Sequence, residues 1–533
     1  MSLEIRFLFE NREGVRSGAM QGASASPSSS MLPGPLSNGR KARRLAFGCL
    51  TVLAVSVSLA PPAASQDEPE DPPSILLIVT DDQRWDTLWA MPEVQRSLVE
   101  PGVTFEESFT TSSLCCPSRA SILTGAYPHT TGVYRQAPPH GGFKSFDDTT
   151  TIATQLDDAG YRTGFFGKYL DSYQSDALSG YVPPGWDRWV AFVHAEYFDY
   201  GLTIDGTVRR YGLAPGDYST DVLADQTEDF IRGSEGPLLA IFAPAAPHAP
   251  AIPSPVDEGR FGDLPVWRPP SFNEVDRSDK PGYVRVFPRV GPDRTQYVDT
   301  LRVNQYRSLQ AVDRTVGRLL GAMEDTGRLD DALVIYTSDN GLLWGEHRWI
   351  KKEVPYEEAI RIPLVVRADG VVGEGARTDG HLVANIDVAP TIAEAAGVEP
   401  PNADGKSLLP LLAGQGGEWR RAVLIEHLRG TNPVPTYCAL RTARYLYASY
   451  ETGERELYDL DADPFQLRNR AGTAPDLEAR LEATLRGLCD PPPPGFGPQM
   501  SLAATFLGIA AVLAVAAGAR VLLARSGRAG GVA

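Results

Sequence analysis

The sequence contains few of the residues that build zinc sites, and few basic residues. Its 533 residues include five cysteines and seven histidines, and these do not form a clustered His/Cys set. Clustered His and Cys ligands are typical of zinc, so their lack argues against a zinc site. Lys and Arg number 50 against 67 Asp and Glu, which leaves a formal net charge of −17. Nucleic-acid binding requires a basic face, so this charge balance argues against a nucleic-acid partner.

The length and the charge leave other functions open. A chain of 533 residues can form one large domain and a smaller one, and the sequence shows no internal repeat. An anionic substrate is not excluded, because a few Arg and Lys side chains can form a local basic site inside an acidic protein.

Continuous apolar runs along the chain predict strands that are buried on both faces of a sheet. From residue 422 the pattern changes to short strands separated by turn residues. The sequence therefore predicts an α/β catalytic domain (74–421), with a large mixed, mostly parallel sheet flanked by helices, and a C-terminal subdomain (422–490) with a small antiparallel sheet and one helix. The predicted elements are large-sheet strands 74–80, 161–166, 237–243, 332–338 and 364–367; helices 151–160, 221–232, 298–326, 381–397 and 477–488; a surface excursion at 253–290; and small-sheet strands 423–427, 437–442, 445–450 and 455–459.

One stretch, Leu-Cys-Cys-Pro-Ser-Arg-Ala-Ser-Ile-Leu-Thr-Gly at 114–125, combines a cysteine with a permanent cation. Cys115 lies four residues before Arg119 and ahead of a short predicted helical run at 120–123. A cation and a helix N-terminus both favour an anion, and both lower the pKa of a thiol. The stretch therefore predicts an anion site that contains a reactive group. The alternative is a buried structural cysteine that precedes a helix.

Oxygen ligands follow two of the predicted strands. Asp81 and Asp82 come directly after strand 74–80, and Asp339 and Asn340 come directly after strand 332–338. The carboxyl ends of strands are where open α/β sheets keep their sites. Two adjacent acids repel each other unless a cation lies between them, although a solvated turn would also explain the first pair. Four hard oxygen ligands suit Ca²⁺ or Mg²⁺.

Two further polar residues follow predicted strands. Lys168 comes just after the aromatic strand 161–166, and His248 lies between prolines after strand 237–243. Proline neighbours restrict the backbone around the histidine, which holds it in one place. Because both residues follow predicted strands, Lys168 and His248 are expected to lie in the same site as the acidic residues. The alternatives are a surface lysine and an incidental histidine.

The string that begins at Cys115 resembles the sulfatase signature, and the resemblance extends over residues 74–489. It implies the alkaline-phosphatase-like superfamily, with a nucleophile formed when Cys115 is oxidised to formylglycine by formylglycine-generating enzyme. It also implies that Asp81, Asp82, Asp339 and Asn340, with the modified Cys115, bind calcium, or magnesium in its place. Arg119 would hold the modified residue, and Lys168, His248 and Lys352 would contact the sulfate of a sulfated carbohydrate or aryl sulfate. Lys352 is preferred to Lys351 because it lies four residues before Tyr356, as in the family pattern.

Finer features are similar to the N-acetylglucosamine-6-sulfatase branch. They are the doubled cysteine at 115–116, the Gly-Lys-Tyr-Leu at 167–170 and the Asp-Tyr-Gly-Leu at 199–202. Arylsulfatases commonly have a histidine where this chain has Leu170, and His347 is a candidate replacement. Two alternatives to the sulfatase interpretation remain: a phosphonate or phosphodiester hydrolase of the same superfamily, and a catalytically silent sulfoglycan-binding surface protein.

The two ends of the chain have their own pattern. Residues 1–44 are predicted to be disordered or to precede the true start of the protein. Residues 45–65 are predicted to form a secretory signal, and residues 66–73 an acidic linker. At the other end, the sequence predicts a proline-rich spacer at 491–501, a transmembrane helix at 502–524 and a cytoplasmic tail at 525–533. The alternatives are a membrane anchor at the first apolar run and a buried helix at the second. We therefore expect a secreted enzyme, tethered by its C-terminal helix with the catalytic domain outside the cell.

Two cysteines remain outside the signal and the motif. Cys438 and Cys489 are a single possible pair, and an exported protein reaches an oxidising compartment. The sequence therefore predicts a Cys438–Cys489 disulfide.

Overall fold

The computed structural model describes residues 72–372, 377–402 and 404–496. The predicted signal peptide, transmembrane helix and cytoplasmic tail lie outside these residues, as do the segment before the signal and parts of the linker and of the spacer. Within the described ranges, no helix combines the length and the apolar character needed to cross a bilayer.

Sixteen strands lie in the described residues, and ten of them form one sheet. The order in this sheet is β11-β2-β10-β9-β1-β8-β4-β5-β6-β7. The strands, numbered along the chain, are β1 (Ile75–Thr80), β2 (Val103–Phe105), β3 (Ser108–Phe109), β4 (Arg162–Gly167), β5 (Arg188–Phe192), β6 (Gly201–Ile204), β7 (Thr207–Arg210), β8 (Leu238–Ala243), β9 (Leu333–Ser338), β10 (Leu364–Arg367), β11 (Arg377–Asp379), β12 (Val383–Ala384), β13 (Ala422–His427), β14 (Tyr437–Thr442), β15 (Tyr445–Tyr450) and β16 (Arg455–Asp459).

The centre of the large sheet is parallel and its edges are mixed. Strands β9, β1, β8, β4 and β5 run parallel, whereas β10 is antiparallel to β9 and β6 is antiparallel to β5. The side chains of β1 alternate between two cores: Ile75 and Leu77 pack on one face, Leu76 and Ile78 on the other. Burial on both faces explains the continuous apolar run. The predicted mixed, mostly parallel α/β sheet is confirmed.

Helices cover both faces of this sheet. The largest, α8, has 34 residues and begins earlier than predicted, with Pro292 in its first turn. The α-helices are α1 (Pro92–Val94), α2 (Cys115–Thr124), α3 (Pro128–Thr131), α4 (Ile152–Asp158), α5 (Gln174–Leu178), α6 (Ser219–Gly233), α7 (Gly282–Arg285), α8 (Pro292–Asp325), α9 (Glu357–Ile360), α10 (Val388–Ala395), α11 (Leu409–Leu412) and α12 (Pro475–Leu488). Shorter turns include the 3-10 segments Trp85–Ala90 and Asn385–Asp387.

Two predictions about irregular regions were wrong in part. Residues 381–397 were expected to be largely helical, but β12 and a 3-10 turn precede α10 there. The excursion 253–290 was expected at the surface, yet Lys280 is fully buried and its Nζ donates to the backbone oxygen of Gln466 at 2.8 Å. Contacts with a distant segment cover this lysine, and no local pattern reports them.

The C-terminal subdomain is the predicted small antiparallel sheet with one helix. Strands β13 to β16 pair in sequence order, and α12 packs against β14 and β15. A disulfide joins Cys438 on β14 to Cys489, which caps α12, with Cα atoms 6.6 Å apart. The sheet shares its apolar core with the catalytic domain, through residues such as Phe109 and Ile360.

Candidate active site

The sheet brings the sequence-predicted residues together at the carboxyl ends of four neighbouring strands. Asp81 and Asp82 follow β1, and Asp339 and Asn340 follow β9 beside it. On the other side of β1, His248 lies in the turns after β8, and Lys168 directly follows β4. Parallel neighbours end at the same edge of a sheet, so residues far apart in sequence meet there.

Helix α2 delivers Cys115 to this edge. It begins at Cys115, with the extended residue Leu114 as its N-cap, and not at residue 120 as predicted. Every residue of the helix is buried. The N-terminus of the helix, which favours negative charge, therefore begins at the residue that the strand ends approach.

Polar residues that the sequence did not single out hold α2 in place. The Gln136 side-chain oxygen accepts from the backbone N–H of Cys116 at 3.1 Å. Ser118 Oγ donates to the backbone oxygen of Asp339 at 2.5 Å, and Asn385 Nδ2 donates to Ser118 Oγ at 2.9 Å. These bonds tie the cysteine helix to the β9 end, and they join segments whose sequence spacing gives no signal.

Oxygen and sulfur atoms of four side chains converge at the centre. One ligand atom each from Asp81, Asp82, Cys115 and Asp339 lies within 4.8 Å of the others. Cys115 Sγ is 3.4 Å from Asp81 Oδ1. Asn340 Nδ2 donates to Asp82 Oδ1 at 2.6 Å, whereas its own Oδ1 is buried without a hydrogen-bond partner. The predicted metal ligands thus share one buried pocket of oxygen and sulfur donors.

Three cations surround the carboxylates. Lys168 Nζ lies 2.5 Å from Asp81 Oδ2, and Arg119 Nε donates to Asp339 Oδ2 at 2.8 Å. Lys352 Nζ contacts Asp82 and lies 2.6 Å from Cys115 Sγ. The lysine chosen from the sequence is therefore the one that reaches the cysteine.

The electrostatics of the cluster follow from burial and from these pairs. Burial opposes ionisation of Asp81, but Lys168 holds its pKa well below the usual range. Burial and the charge of Asp81 raise the pKa of Asp339. Burial also opposes the charge of Lys352, but Asp82 raises its pKa well above the ordinary value. Both lysines and Arg119 are therefore cations at neutral pH, as anion binding requires.

The cysteine itself behaves differently from the sequence-based expectation. A neighbouring cation and a helix N-terminus were expected to lower the pKa of its thiol. Instead, burial and the carboxylate of Asp81 raise the pKa of Cys115 well above the ordinary value. The thiol is therefore held neutral, because desolvation and a nearby anion outweigh the helix and the cations.

The two histidines have different surroundings. His248 Nε2 lies 3.7 Å from Asp82 Oδ2, and its side chain is 41% exposed, whereas Lys168 and Lys352 are almost covered. His248 is thus the member of the cluster that faces solvent. His347 is buried, with Nδ1 2.7 Å from Glu274 Oε2 and its ring stacked on Tyr356. Neither partner of His347 belongs to the cluster.

Gly167 shows why the residue before Lys168 is a glycine. Its φ is +132°, and a Cβ there would lie 1.9 Å from the backbone oxygen of Ala243. Only glycine allows this close approach, which also lets the Lys168 N–H donate to the same oxygen at 2.7 Å. The close contact between β4 and β8 orients Lys168 toward Asp81.

The donor set fits a divalent cation. Three carboxylates and an amide are hard oxygen ligands, which suit Ca²⁺ or Mg²⁺ better than softer metals. The unpartnered Asn340 Oδ1 and the upward pKa shift of Asp339 indicate a place where a cation would satisfy an oxygen and relieve repulsion between carboxylates.

Comparison with known proteins identifies the family. The family model described as Sulfatase matches residues 73–398, and that described as N-sulphoglucosamine sulphohydrolase, C-terminal, matches 345–488. Human N-acetylglucosamine-6-sulfatase is 32% identical over 465 residues, covering 78% of this chain and 84% of that protein. The extracellular sulfatase SULF-1 homolog of Drosophila melanogaster is 33% identical over 373 residues, covering 66% of this chain but only 33% of the fly protein.

Solved structures share the fold. A protein in complex with its substrate D-glucosamine-2-N,6-O-disulfate superposes with a TM-score of 0.70 at 23% identity, covering 80% of this chain and 99% of that one. The phosphonate monoester hydrolase of Agrobacterium radiobacter superposes with a TM-score of 0.63 at 22% identity, covering 78% and 95%. From its family match and its relatives, the chain belongs to the sulfatase family, whose members are sulfuric ester hydrolases.

Proposed function

We propose that this protein removes sulfate from a sulfated sugar, and that its substrate carries an N-acetylglucosamine 6-sulfate group. The observation that carries the catalytic part is the convergence of Cys115, three carboxylates and three cations at one sheet edge. The substrate rests on similarity to N-acetylglucosamine-6-sulfatases over most of both chains.

The nucleophile is proposed to derive from Cys115. In its formylglycine form this residue would supply a hydrated aldehyde, one hydroxyl of which could attack sulfur as the sugar alcohol leaves. Loss of the proton from the second hydroxyl would then expel sulfate and restore the aldehyde. The position of Cys115 at the start of α2 and next to Lys352 supports this role. Cys115 and Cys116 are both completely buried, so burial does not distinguish them. Of the two, Cys115 is the one whose sulfur contacts a carboxylate of the cluster.

A divalent cation, most suitably calcium, would be held by Asp81, Asp82, Asp339 and Asn340, and would supply Lewis-acid polarisation of the sulfate oxygens. Arg119 holds Asp339 through Nε and the backbone oxygen of Lys168 through a second nitrogen. Arg119 thereby links the residues that follow β9 and β4. Its other terminal nitrogen is buried without a hydrogen-bond partner and 4.0 Å from Asp81.

The remaining side chains bind the substrate and move its proton. Lys168 and Lys352 are positioned to bind sulfate oxygens as permanent cations, since carboxylates keep them charged. The His248 side chain is 41% exposed and its Nε2 lies 3.7 Å from Asp82 Oδ2, so it is placed between solvent and the cluster, where it could protonate the leaving alcohol. Lys352 is the alternative acid, but its raised pKa makes it the poorer proton donor.

Two comparisons of rate test the reaction and the substrate. Purified enzyme should release sulfate from N-acetylglucosamine 6-sulfate at least about tenfold faster, in kcat/KM, than from the 3-sulfate isomer. Matched aryl sulfate, phosphate diester and phosphonate ester substrates then test the rival hydrolase. Faster turnover of the phosphonate would reject the sulfatase proposal, because the fold is shared with such an enzyme. No turnover of any ester by protein with modified Cys115 would favour a silent sulfoglycan-binding protein.

The cellular location is also a proposal. We propose export through the signal at 45–65 and anchoring through the apolar segment 502–524, with the catalytic domain outside. The arginines at 520, 525 and 528 that accompany and follow this segment support the orientation. The disulfide between Cys438 and Cys489 agrees with an oxidising compartment.

A further inference from the structure

One cavity has a lining separate from the cluster proposed above to be catalytic. We call that group of residues the catalytic cluster: Asp81, Asp82, Cys115, Arg119, Lys168, His248, Asp339, Asn340 and Lys352. The cavity encloses about 330 Å³, a volume within the range of small-molecule sites. Its walls include the start of the 3-10 segment at Trp85, the first turn of α9 at Glu357 and Glu358, and the loop at 460–465 of the C-terminal subdomain. We refer to it as the lateral cavity. None of its lining residues belongs to the catalytic cluster.

The arginines of the lateral cavity are already paired with carboxylates. Arg84 lies 2.8 Å from Asp86 and 2.9 Å from Glu346. Arg441 binds Glu357 at 2.7 Å and Glu107 at 2.9 Å. The third, Arg361, also contacts Glu107, at 3.2 Å. Each guanidinium thus has a carboxylate partner within the wall, and an entering anion would have to displace one.

One carboxyl group is left over. Glu358 lines the cavity and is only 7% exposed, and its Oε2 is buried without a hydrogen-bond partner. Such an atom loses its water without gaining a hydrogen-bond donor, which is unfavourable. Burial and the neighbouring Glu346 raise the pKa of Glu358 to about 8, against the opposing effect of Arg84. At neutral pH the group is therefore mostly a neutral acid.

We propose that the lateral cavity binds a small organic ligand through a primary ammonium group, with Glu358 as the counter-ion. An ammonium supplies the positive charge with which the Glu358 carboxylate, left without an ion-pair partner in the cavity wall, can pair. Trp85, Trp267 and the partly exposed Phe465 line the cavity and offer apolar contacts for the carbon skeleton of the ligand. Asp461, at 68% exposure, adds negative charge among the lining residues.

Binding carries a proton balance. The neutral Glu358 acid must lose its proton to pair with R–NH₃⁺, so the pair forms as carboxylate and ammonium while one proton passes to the buffer. The charged groups that act on Glu358 are Glu346, Arg84 and Glu357. Both glutamates are already paired with arginines, so neither is free to pair with the ammonium in place of Glu358. Below the pKa of Glu358, the apparent affinity should therefore rise about tenfold per pH unit.

The first experiment uses n-propylammonium as the probe on the full-length enzyme. We expect a millimolar Kd by titration calorimetry, release of close to one proton at pH 6.5, and a roughly tenfold lower Kd at pH 7.5. The probe stays charged across this range, as a lysine side chain does. Propan-1-ol, a neutral analogue of similar size, should bind at least about tenfold more weakly. Equal binding of the alcohol, or no proton release, would overturn the proposal.

Variants then locate the site. Glu358→Gln should weaken n-propylammonium binding at least tenfold and abolish proton release, while turnover of sulfate ester stays unchanged. Asp461→Asn should weaken binding about twofold, and Glu399→Gln, an exposed glutamate outside the cavity lining, should have no effect. Unaltered binding by Glu358→Gln would place the ligand elsewhere and reject the inference. Should Glu358→Gln not fold, the pH dependence and proton release of the wild-type enzyme decide alone.

Discussion

The catalytic cluster and the lateral cavity are both buried and ionic, but their charges are balanced differently. In the cluster, three carboxylates face three cations, and the unpartnered atoms are Asn340 Oδ1 and a terminal nitrogen of Arg119. In the lateral cavity every arginine is paired and a carboxyl oxygen of Glu358 is left over.

The difference shows what unpartnered buried atoms indicate about ligands. The cluster contains both an unpartnered acceptor and an unpartnered donor, as binding a cation together with an anion would require. In the lateral cavity the surplus group is the carboxyl of Glu358, so a cation is the complementary ligand. The predictions below test this contrast, beginning with the largest expected effect.

Cys115→Ser should reduce kcat by about 10⁴-fold or more, because it removes the proposed source of the nucleophile. Cys116→Ala is the matched control: its thiol is equally buried but does not contact the carboxylates, so it should mainly affect packing. Peptide mass spectrometry of active enzyme checks the chemistry directly. An intact thiol at Cys115 in fully active enzyme would contradict the proposal, and neither variant should alter n-propylammonium binding in the lateral cavity.

The positions of the main site residues could be predicted because they follow long apolar strands or lie in a specific motif. Asp81, Asp82 and Asp339 directly follow β1 and β9, and the sheet alone brings them together. The supporting contacts could not be predicted. Ser118 and Asn385 meet only because α2 packs against the segment before α10.

The lateral cavity illustrates the same limit more strongly. Glu358 looks like an ordinary first-turn helix glutamate in sequence, and helix N-termini favour acidic residues. Glu346 and Arg84 act on its charge, and the 460–465 loop lines the same cavity; these come from three separate parts of the chain. Short strands such as β2, β3 and β11 were missed for a related reason, since two or three residues are too few to show a hydrophobic period.

Asp339→Ala should reduce kcat by about 10²- to 10³-fold, because it removes a proposed metal ligand and the partner of Arg119. Exhaustive chelation of the wild-type enzyme should give a loss of similar size that added Ca²⁺ restores. Asp86→Asn, in the wall of the lateral cavity, is the control and should leave kcat nearly unchanged. Full activity after chelation would show that the oxygen cluster works without a metal.

Glu358 should make the stability of the fold depend on pH. Its pKa is about 8 in the folded protein against an ordinary 4.5, so the folded state holds the proton more tightly. This stabilising contribution is fully present below about pH 4.5 and is lost as the pH rises through about 8. The free energy of unfolding of Glu358→Gln relative to wild type should therefore increase by roughly 3–5 kcal/mol between pH 4.5 and 8.5. Denaturant unfolding at both pH values measures it, and a pH-independent difference would mean that Glu358 is ionised throughout.

Removing the disulfide should affect stability and leave the catalytic cluster intact. Cys438 and Cys489 are 51 residues apart in sequence, and opening a loop of this size costs about 2–4 kcal/mol. The double variant Cys438→Ala/Cys489→Ala should thus unfold at lower denaturant concentration with an unchanged KM for small aryl sulfates. Because Arg441 and the 460–465 loop belong to the same subdomain, n-propylammonium binding should weaken more than sulfate-ester turnover does. The reverse order would mean that the subdomain supports the catalytic cluster more than the lateral cavity.

The smallest effect on both ionic sites should come from removing the C-terminal segment. Residues 502–524 are apolar enough, and at about 1.5 Å per residue about long enough, to cross a bilayer core of roughly 30 Å. Truncation after Asp490, which keeps Cys489 and its disulfide, should release a soluble enzyme with unchanged kcat on small aryl sulfates. Substrates presented on a membrane surface should be hydrolysed more slowly by the released enzyme, because tethering raises their local concentration. Membrane fractionation of the full-length protein provides the check: recovery in the soluble fraction after lysis would reject the anchor and leave both sites unaffected.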